Sequence, residues 1–137
     1  MADCLFCKII AGDLPAQIVY EDDAVLAILD IDPISDGHTL LLPKCDIKDI
    51  YALDEITGGK IMSVAQKLTK VIQLKYGYDT MMLMQVNGLS QDHPHFHLHV
   101  FGRQKNNDIK ILYPTGVDKS PEHLNAVAED IRSSAFN

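Results

Sequence analysis

The stretch His95-Phe96-His97-Leu98-His99-Val100-Phe101 constrains this chain more than any other. Apolar residues at every second place, with no Gly or Pro inside, predict a β-strand. Successive side chains of a strand point to opposite faces, so Phe96, Leu98 and Val100 face one way and His95, His97 and His99 the other. With about 3.3 Å of rise per residue, neighbouring histidines stand roughly 6.6 Å apart on that face. A lone histidine in a core strand is commonly a hydrogen-bonded structural residue, but three in strict alternation are hard to explain by packing. Two chemistries use such a face: a metal site, or attack on phosphorus.

The rest of the chain supplies a sheet and a helix to hold that strand. Phe6 to Ile10 reads as a short helical turn ended by Gly12, with Pro15 beyond it. Ile18-Val19-Tyr20 and Val25 to Leu29 flank the acidic turn Glu21-Asp22-Asp23 as a β-hairpin. His38 to Leu42 is a nearly continuous apolar strand, which suits a central position, and Pro43 closes it. Asp46 is placed to cap a short helix through Tyr51. From Asp54 to Tyr76, Ile61, Ala65, Leu68 and Ile72 make one apolar helical stripe, with Gly77 as its stop. Met81 to Val86 is a further strand, and Asn87 to Pro94 a loop leading to the histidines. Beyond Arg103, the polar stretch 104–108 and the loosely patterned 109–118 precede a helix begun by Ser120-Pro121-Glu122. Leu124, Val127, Ala128 and Ile131 give that helix an apolar face. The expected class is α+β, with a mainly antiparallel five-stranded sheet, one long helix and a C-terminal helix. The expected organisation is one domain over residues 1–137, with its core at about 5–103 and a C-terminal extension at 104–137.

Composition narrows the function. A net charge of -7 argues against a nucleic-acid polymer as partner, although a small nucleotide can still be met by a locally polarised site. Met1-Ala2-Asp3-Cys4 has neither the basic nor the apolar region of a signal peptide, and no run approaches the roughly 18 apolar residues of a membrane span. The sequence therefore predicts a cytoplasmic protein without membrane contact. Cys4, Cys7 and Cys45 are too few and too odd in number for a disulfide framework, while Cys4-x-x-Cys7 is a spacing used for zinc or redox work.

The triad His95-x-His97-x-His99, followed by apolar Val100 and Phe101, resembles that of the histidine triad (HIT) family of nucleotide-binding hydrolases and transferases, its bacterial-type branch in particular. The resemblance runs from about Leu5 to Arg103. It is carried as well by 6–12, Leu14-Pro15-Ala16, Tyr20-Glu21-Asp22, Leu29-Asp30-Ile31 and the stretch from Gly37 to Lys44. It implies a HIT-like fold and a homodimer joined through the long helix and the neighbouring strand. It also implies His97 as nucleophile, His99 on the phosphate and His95 in the supporting network.

An imidazole can attack an activated phosphorus and hold it as a phosphoramidate, and a pKa near 6.5 leaves neutral nucleophile at pH 7. A second imidazole on either side of His97 could set its tautomer or donate to phosphate. Asp30, at the end of an apolar strand, suits two ribose hydroxyls, and the resemblance puts Leu5, Phe6, Ile9, Ile28 and Ile31 around a base. It also places His38 near the site, and Asn87 and Gln91 as uncharged donors to phosphate. The expected activity is hydrolysis or nucleotidyl transfer at the α-phosphorus of purine nucleoside phosphoramidates or dinucleoside polyphosphates. The alternative is a nucleotide- or metal-binding regulatory module with little turnover. No cofactor is required for this chemistry, but the resemblance offers a structural zinc on Cys4, Cys7 and His95, with Asp46 or Cys45 as fourth ligand. Asp92 and His93 depart from the family pattern, in which a hydroxyl and an apolar residue commonly stand there, and this puts leaving-group preference in question.

Overall fold

In the computed structural model, which describes residues 4–105 and 115–135, the five strands are β1 (Ile18–Glu21), β2 (Val25–Leu29), β3 (Thr39–Pro43), β4 (Thr80–Met84) and β5 (Leu98–Arg103). They form one sheet in the order β1-β2-β3-β5-β4, with every neighbouring pair antiparallel. The fold is α+β with a five-stranded antiparallel sheet. The described residues fall into two units, one within Met1–Asn107 and one within Asp108–Asn137. Residues 1–3 and most of the polar and loosely patterned stretch after Arg103 lie outside the described residues.

β2 and β3 are apolar at nearly every position because both faces of the sheet are covered. Val25 and Ala27 of β2, with Leu41, Leu98 and Val100, pack against Ile61, Val64, Ala65 and Ile72 of the long helix α2 (Glu55–Tyr76). Leu26 and Ile28, with Leu40 and Leu42, pack on the opposite face against Cys4 and Phe6 of the short N-terminal helix α1 (Leu5–Ile10) and its cap. Asp54 caps α2 by accepting the Thr57 N–H, and Gly77 ends it in the left-handed conformation, at φ 67°, that a side chain would strain. Gly102 of β5 has a different reason: a Cβ there would collide with the Tyr78 ring. In the second unit, Pro121 opens α3 (Pro121–Ala135) and the Ser120 hydroxyl accepts the His123 N–H, as Ser-Pro-Glu predicts.

Two expectations fail for identifiable reasons. Asp46 caps no helix: the segment to Tyr51 is a series of turns, because the Asp49 carboxylate takes the N–H groups of Tyr51 and Ala52. β5 begins at Leu98 rather than at His95, since the Phe96 N–H leaves the sheet and donates to Ile47 O at 2.6 Å. The alternation nonetheless survives through the irregular part. Phe96, Leu98 and Val100 all lie in the core under α2, and the histidines lie on the other face.

Candidate active site

A cavity of about 320 Å³ opens on the α1 face of the sheet. Its apolar wall comes from Leu5, Phe6 and Ile9 of α1, with Ile28 and Ile31 at the end of β2, so all five apolar candidates line it. Asp30, His38, His97 and His99 complete its polar side. These four meet because β2, β3 and β5 are adjacent. The Asp30 N–H donates to His38 O at 2.9 Å, and the β3–β5 register sets Leu40 opposite His99, one diagonal step from His38.

The hydrogen bonds fix the tautomers. His38 Nδ1 accepts the Ile34 N–H at 3.1 Å, so its proton sits on Nε2 and donates to His99 Nδ1 at 2.9 Å. The His99 proton is thereby placed on Nε2, as a donor for a ligand. Burial pushes the His99 pKa down to about 4, with the His97 and His38 rings adding to the shift against the pull of Asp30 and Asp92. Burial also lowers His38, against Asp30. Both rings are therefore neutral at pH 7. His97 Nδ1 donates to His95 O at 2.7 Å, which leaves the Nε2 lone pair free. His97 is 4% exposed, with its ring centroid 5.1 Å from that of His99 and 5.2 Å from that of Phe6. Asp30 accepts the Asp32 N–H on Oδ1, and its Oδ2 receives no hydrogen bond among the described residues.

His95 does something else. Its ring is fully buried and turned away from the cavity, so of the other two triad histidines only His99 flanks His97 there, a correction to the even spacing of three along a strand. His95 Nε2 donates to Pro43 O at 2.9 Å, and Nδ1 faces Cys4 Sγ at 3.7 Å, Cys7 Sγ at 3.5 Å and Asp46 Oδ1 at 4.0 Å. Asp46 Oδ1 is in turn 3.8 Å from Cys7 Sγ. A tetrahedral zinc has edges of about 3.4–3.8 Å between S and N ligands, so Cys4, Cys7 and His95, whose donor atoms all lie within 4.8 Å of one another, fit three corners of such a site. Cys45 is exposed and outside the group; Asp46 also lies outside it, but its Oδ1 is near both Cys7 and His95, so it is the nearer candidate for a fourth donor. The Cys7 thiol is pushed up to about 11, first by burial and then by the Cys4 thiol and the Asp46 carboxylate. A dication among them would reverse that shift.

Asn87 and Gln91 do not line the cavity. Asn87 accepts the Ile50 N–H and donates to Gln85, while the Gln91 amide donates to Lys48 O at 2.7 Å and His95 O at 3.3 Å. Both hold the loop that delivers the histidines.

A family model described as the HIT domain matches residues 11–106. The chain belongs to the HIT domain family. Among its HIT relatives, the adenosine 5'-monophosphoramidase hnt1 of Schizosaccharomyces pombe is 33% identical over 134 residues, 95% of this chain and 96% of that protein. A crystal structure of a HIT family member from Bacillus subtilis matches with a TM-score of 0.89 at 32% identity, covering 98% of this chain and 99% of that one. A Zn-bound histidine triad family protein from Mycobacterium smegmatis matches with a TM-score of 0.75 at 30% identity, covering 96% of this chain and 97% of that one.

Five further residues line this HIT cavity without being marked as site residues by the sequence: Leu29, Asp32, Ile34, Leu40 and Met84. Met84 reaches the site only because β4 pairs with β5 in a register that sets it opposite His99. Ile34 contributes a backbone N–H rather than a side chain, and its type was uninformative. Asp92 and His93, conspicuous as departures from the family pattern, both line the cavity.

Proposed function

We propose that the chain hydrolyses purine nucleoside phosphoramidates or dinucleoside polyphosphates at the α-phosphorus through a covalent nucleotidyl-His97. The observation that carries this reading is the His97 Nδ1–H bond to His95 O, which aims an unprotonated Nε2 from a nearly buried ring into the cavity. As Nε2 bonds to phosphorus the ring becomes cationic, and the same carbonyl stabilises the charge on Nδ1–H. For a phosphoramidate, the P–N electron pair leaves with nitrogen, which takes a proton from solvent. Water then gives its hydroxyl to phosphorus and its other proton back to solvent, releasing the nucleoside monophosphate and neutral His97. His99, donating through Nε2–H, binds a phosphate oxygen, and Asp30 accepts from the ribose. The apolar wall from Leu5 to Ile31 takes the base, and the relative named as an adenosine 5'-monophosphoramidase supports a purine.

Zinc belongs in this reading as a structural ion on Cys4, Cys7, His95 and Asp46, where it would keep the thiols ionised and brace the segment before His97. The Zn-bound neighbour and the spacing of Cys4, Cys7 and His95 support the site, and Asp46 is assigned its fourth place from its approach to Cys7 and His95. A homodimer is supported by the exposed apolar side chains of Ile56, Met62, Val71 and Leu74 on α2, and of Leu83 on the edge strand β4. A reducing, cytoplasmic setting agrees with three free thiols. No helix among the described residues is long and apolar enough to cross a membrane.

The test is intact mass after rapid quenching with an adenosine 5'-phosphoramidate. We expect an adduct of one nucleotidyl group, with both adduct and turnover abolished in His97→Asn while binding of the monophosphate stays within about tenfold. Turnover surviving in His97→Asn with unchanged kinetics would overturn the mechanism.

A further inference from the structure

The cavity is built for an anion, the nucleotide phosphate, yet its charged lining is wholly acidic. Asp30, Asp32 and Asp92 line it, and no Lys or Arg does so among the described residues. One of these carboxylates has a local explanation: Asp30 holds the Asp32 N–H and stands beside His38 and His99. The exposed Asp32 carboxylate makes no hydrogen bond or ion pair among the described residues and stands on the same turn as Asp30, next to the residue assigned to the ribose. Asp92 stands apart from both. It lies on the other side of the chain's path, in the loop before β5, and its exposed carboxylate makes no hydrogen bond or ion pair among the described residues. It directly precedes His93, whose ring packs edge-on against Phe6 at 5.1 Å and stands 6.5 Å from the ring of His97. Its charge reaches the site, since it acts on the His99 imidazole.

An unpartnered carboxylate on the rim of a phosphate-attacking site sorts substrates by charge. A leaving group of further phosphates would bring like charge against Asp92 with no cationic side chain on the lining to offset it. A leaving amine carrying a second, protonated amine would complete an ion pair there. We propose that Asp92 is a specificity residue that favours leaving groups bearing a positive charge and disfavours leaving groups bearing phosphate. This rests on the hydrolase reading above and narrows its two substrate classes to phosphoramidates of cationic amines. The chemistry is unchanged: the P–N bond breaks, nitrogen takes a solvent proton, and His97 Nε2 holds the nucleotidyl group until water replaces it. Asp92 acts only on which amine occupies the exit.

The experiment compares kcat/KM for three probes: the adenosine 5'-phosphoramidates of 1,4-diaminobutane and of n-pentylamine, matched in length, and diadenosine tetraphosphate. Because Asp92 is exposed, water screens the pair, and we expect the diamine to be favoured over the alkylamine by about three- to tenfold. Asp92→Asn should bring that ratio to about one and shift preference toward the tetraphosphate by a similar factor. Asp92→Lys should invert both ratios. In the unaltered protein the diamine preference should shrink as salt rises, a readout that needs no variant. If all three probes are hydrolysed with ratios unmoved by substitution and by salt, the Asp92 role is wrong while the hydrolase reading stands. A uniform fall in rate for every probe in Asp92→Asn would equally overturn it, because that is the mark of a positioning residue. If none of the probes is hydrolysed while adenosine monophosphate still binds, the hydrolase reading fails and takes the selectivity with it.

Discussion

Replacing Asp30 tests the nucleoside side of the cavity with a loss that can be worked out in advance. Oδ1 of Asp30 already holds the Asp32 N–H at 2.9 Å, and Oδ2 has no donor among the described residues. The ribose diol therefore finds one free oxygen and the second lone pair of the other. A charge-assisted hydrogen bond contributes about 1.5–3 kcal/mol when fully desolvated, but the Asp30 side chain is 16% exposed and one oxygen is shared. A total of about 1.5–3 kcal/mol for both ribose bonds follows, which is roughly 10- to 150-fold in Kd. Asp30→Ala should weaken adenosine monophosphate by that factor in calorimetric titration. Asp30→Asn keeps an acceptor for Asp32 and should fall between the two. The deciding comparison uses 2'-deoxyadenosine monophosphate, which lacks one of the two donors. It should bind the unaltered protein more weakly than the ribonucleotide by roughly 3- to 12-fold, half of that free energy, and the two should converge in Asp30→Ala. Equal losses for both sugars would mean that the substitution disturbs the turn, and the ribose assignment would be refuted.

Two further outcomes are expected. Zinc removal by a chelator, or Cys7→Ser, should lower Tm by about 5–15 °C, corresponding to roughly 2–4 kcal/mol of binding energy coupled to folding, with little change in the rate per folded molecule. Loss of turnover with the melting curve intact would instead put the metal in the reaction. Because the folded His99 pKa is depressed to about 4 from its ordinary 6.5, the unfolded chain binds more protons between those values. Stability should therefore fall as pH drops from about 6.5 to 4, and His99→Gln should flatten that slope in urea titrations. An unchanged slope would show that His99 is not held neutral.

How much of this was legible beforehand depends on the range of the interaction. The period-2 alternation from His95 to Phe101 places the three histidines opposite Phe96, Leu98 and Val100 whatever the partner strands are, because it follows from the pleat of an extended chain. The α2 stripe, its Asp54 cap and its Gly77 stop are likewise local, and so is the start of α3 at Ser120-Pro121. Resemblance points to Leu5, Phe6, Ile9, Ile28, Ile31, Asp30 and His38 as site residues, and the cavity gathers all of them. The separate destinies of the histidines were not legible. His95 turns to Pro43 O and the cysteines, His97 is oriented by a main-chain carbonyl, and His99 is oriented through His38 by the Ile34 N–H. The partners are backbone atoms of any residue type, brought near by strand order, so no residue identity marks them in advance. The same holds for Met84, which the β4–β5 register delivers, and for Asn87 and Gln91, whose amides are spent on the loop itself. Side-chain type determined which chemistry was available; the tertiary hydrogen bonds decided which nitrogen of which ring can perform it, because a neutral imidazole carries one proton and the nearest acceptor chooses its place.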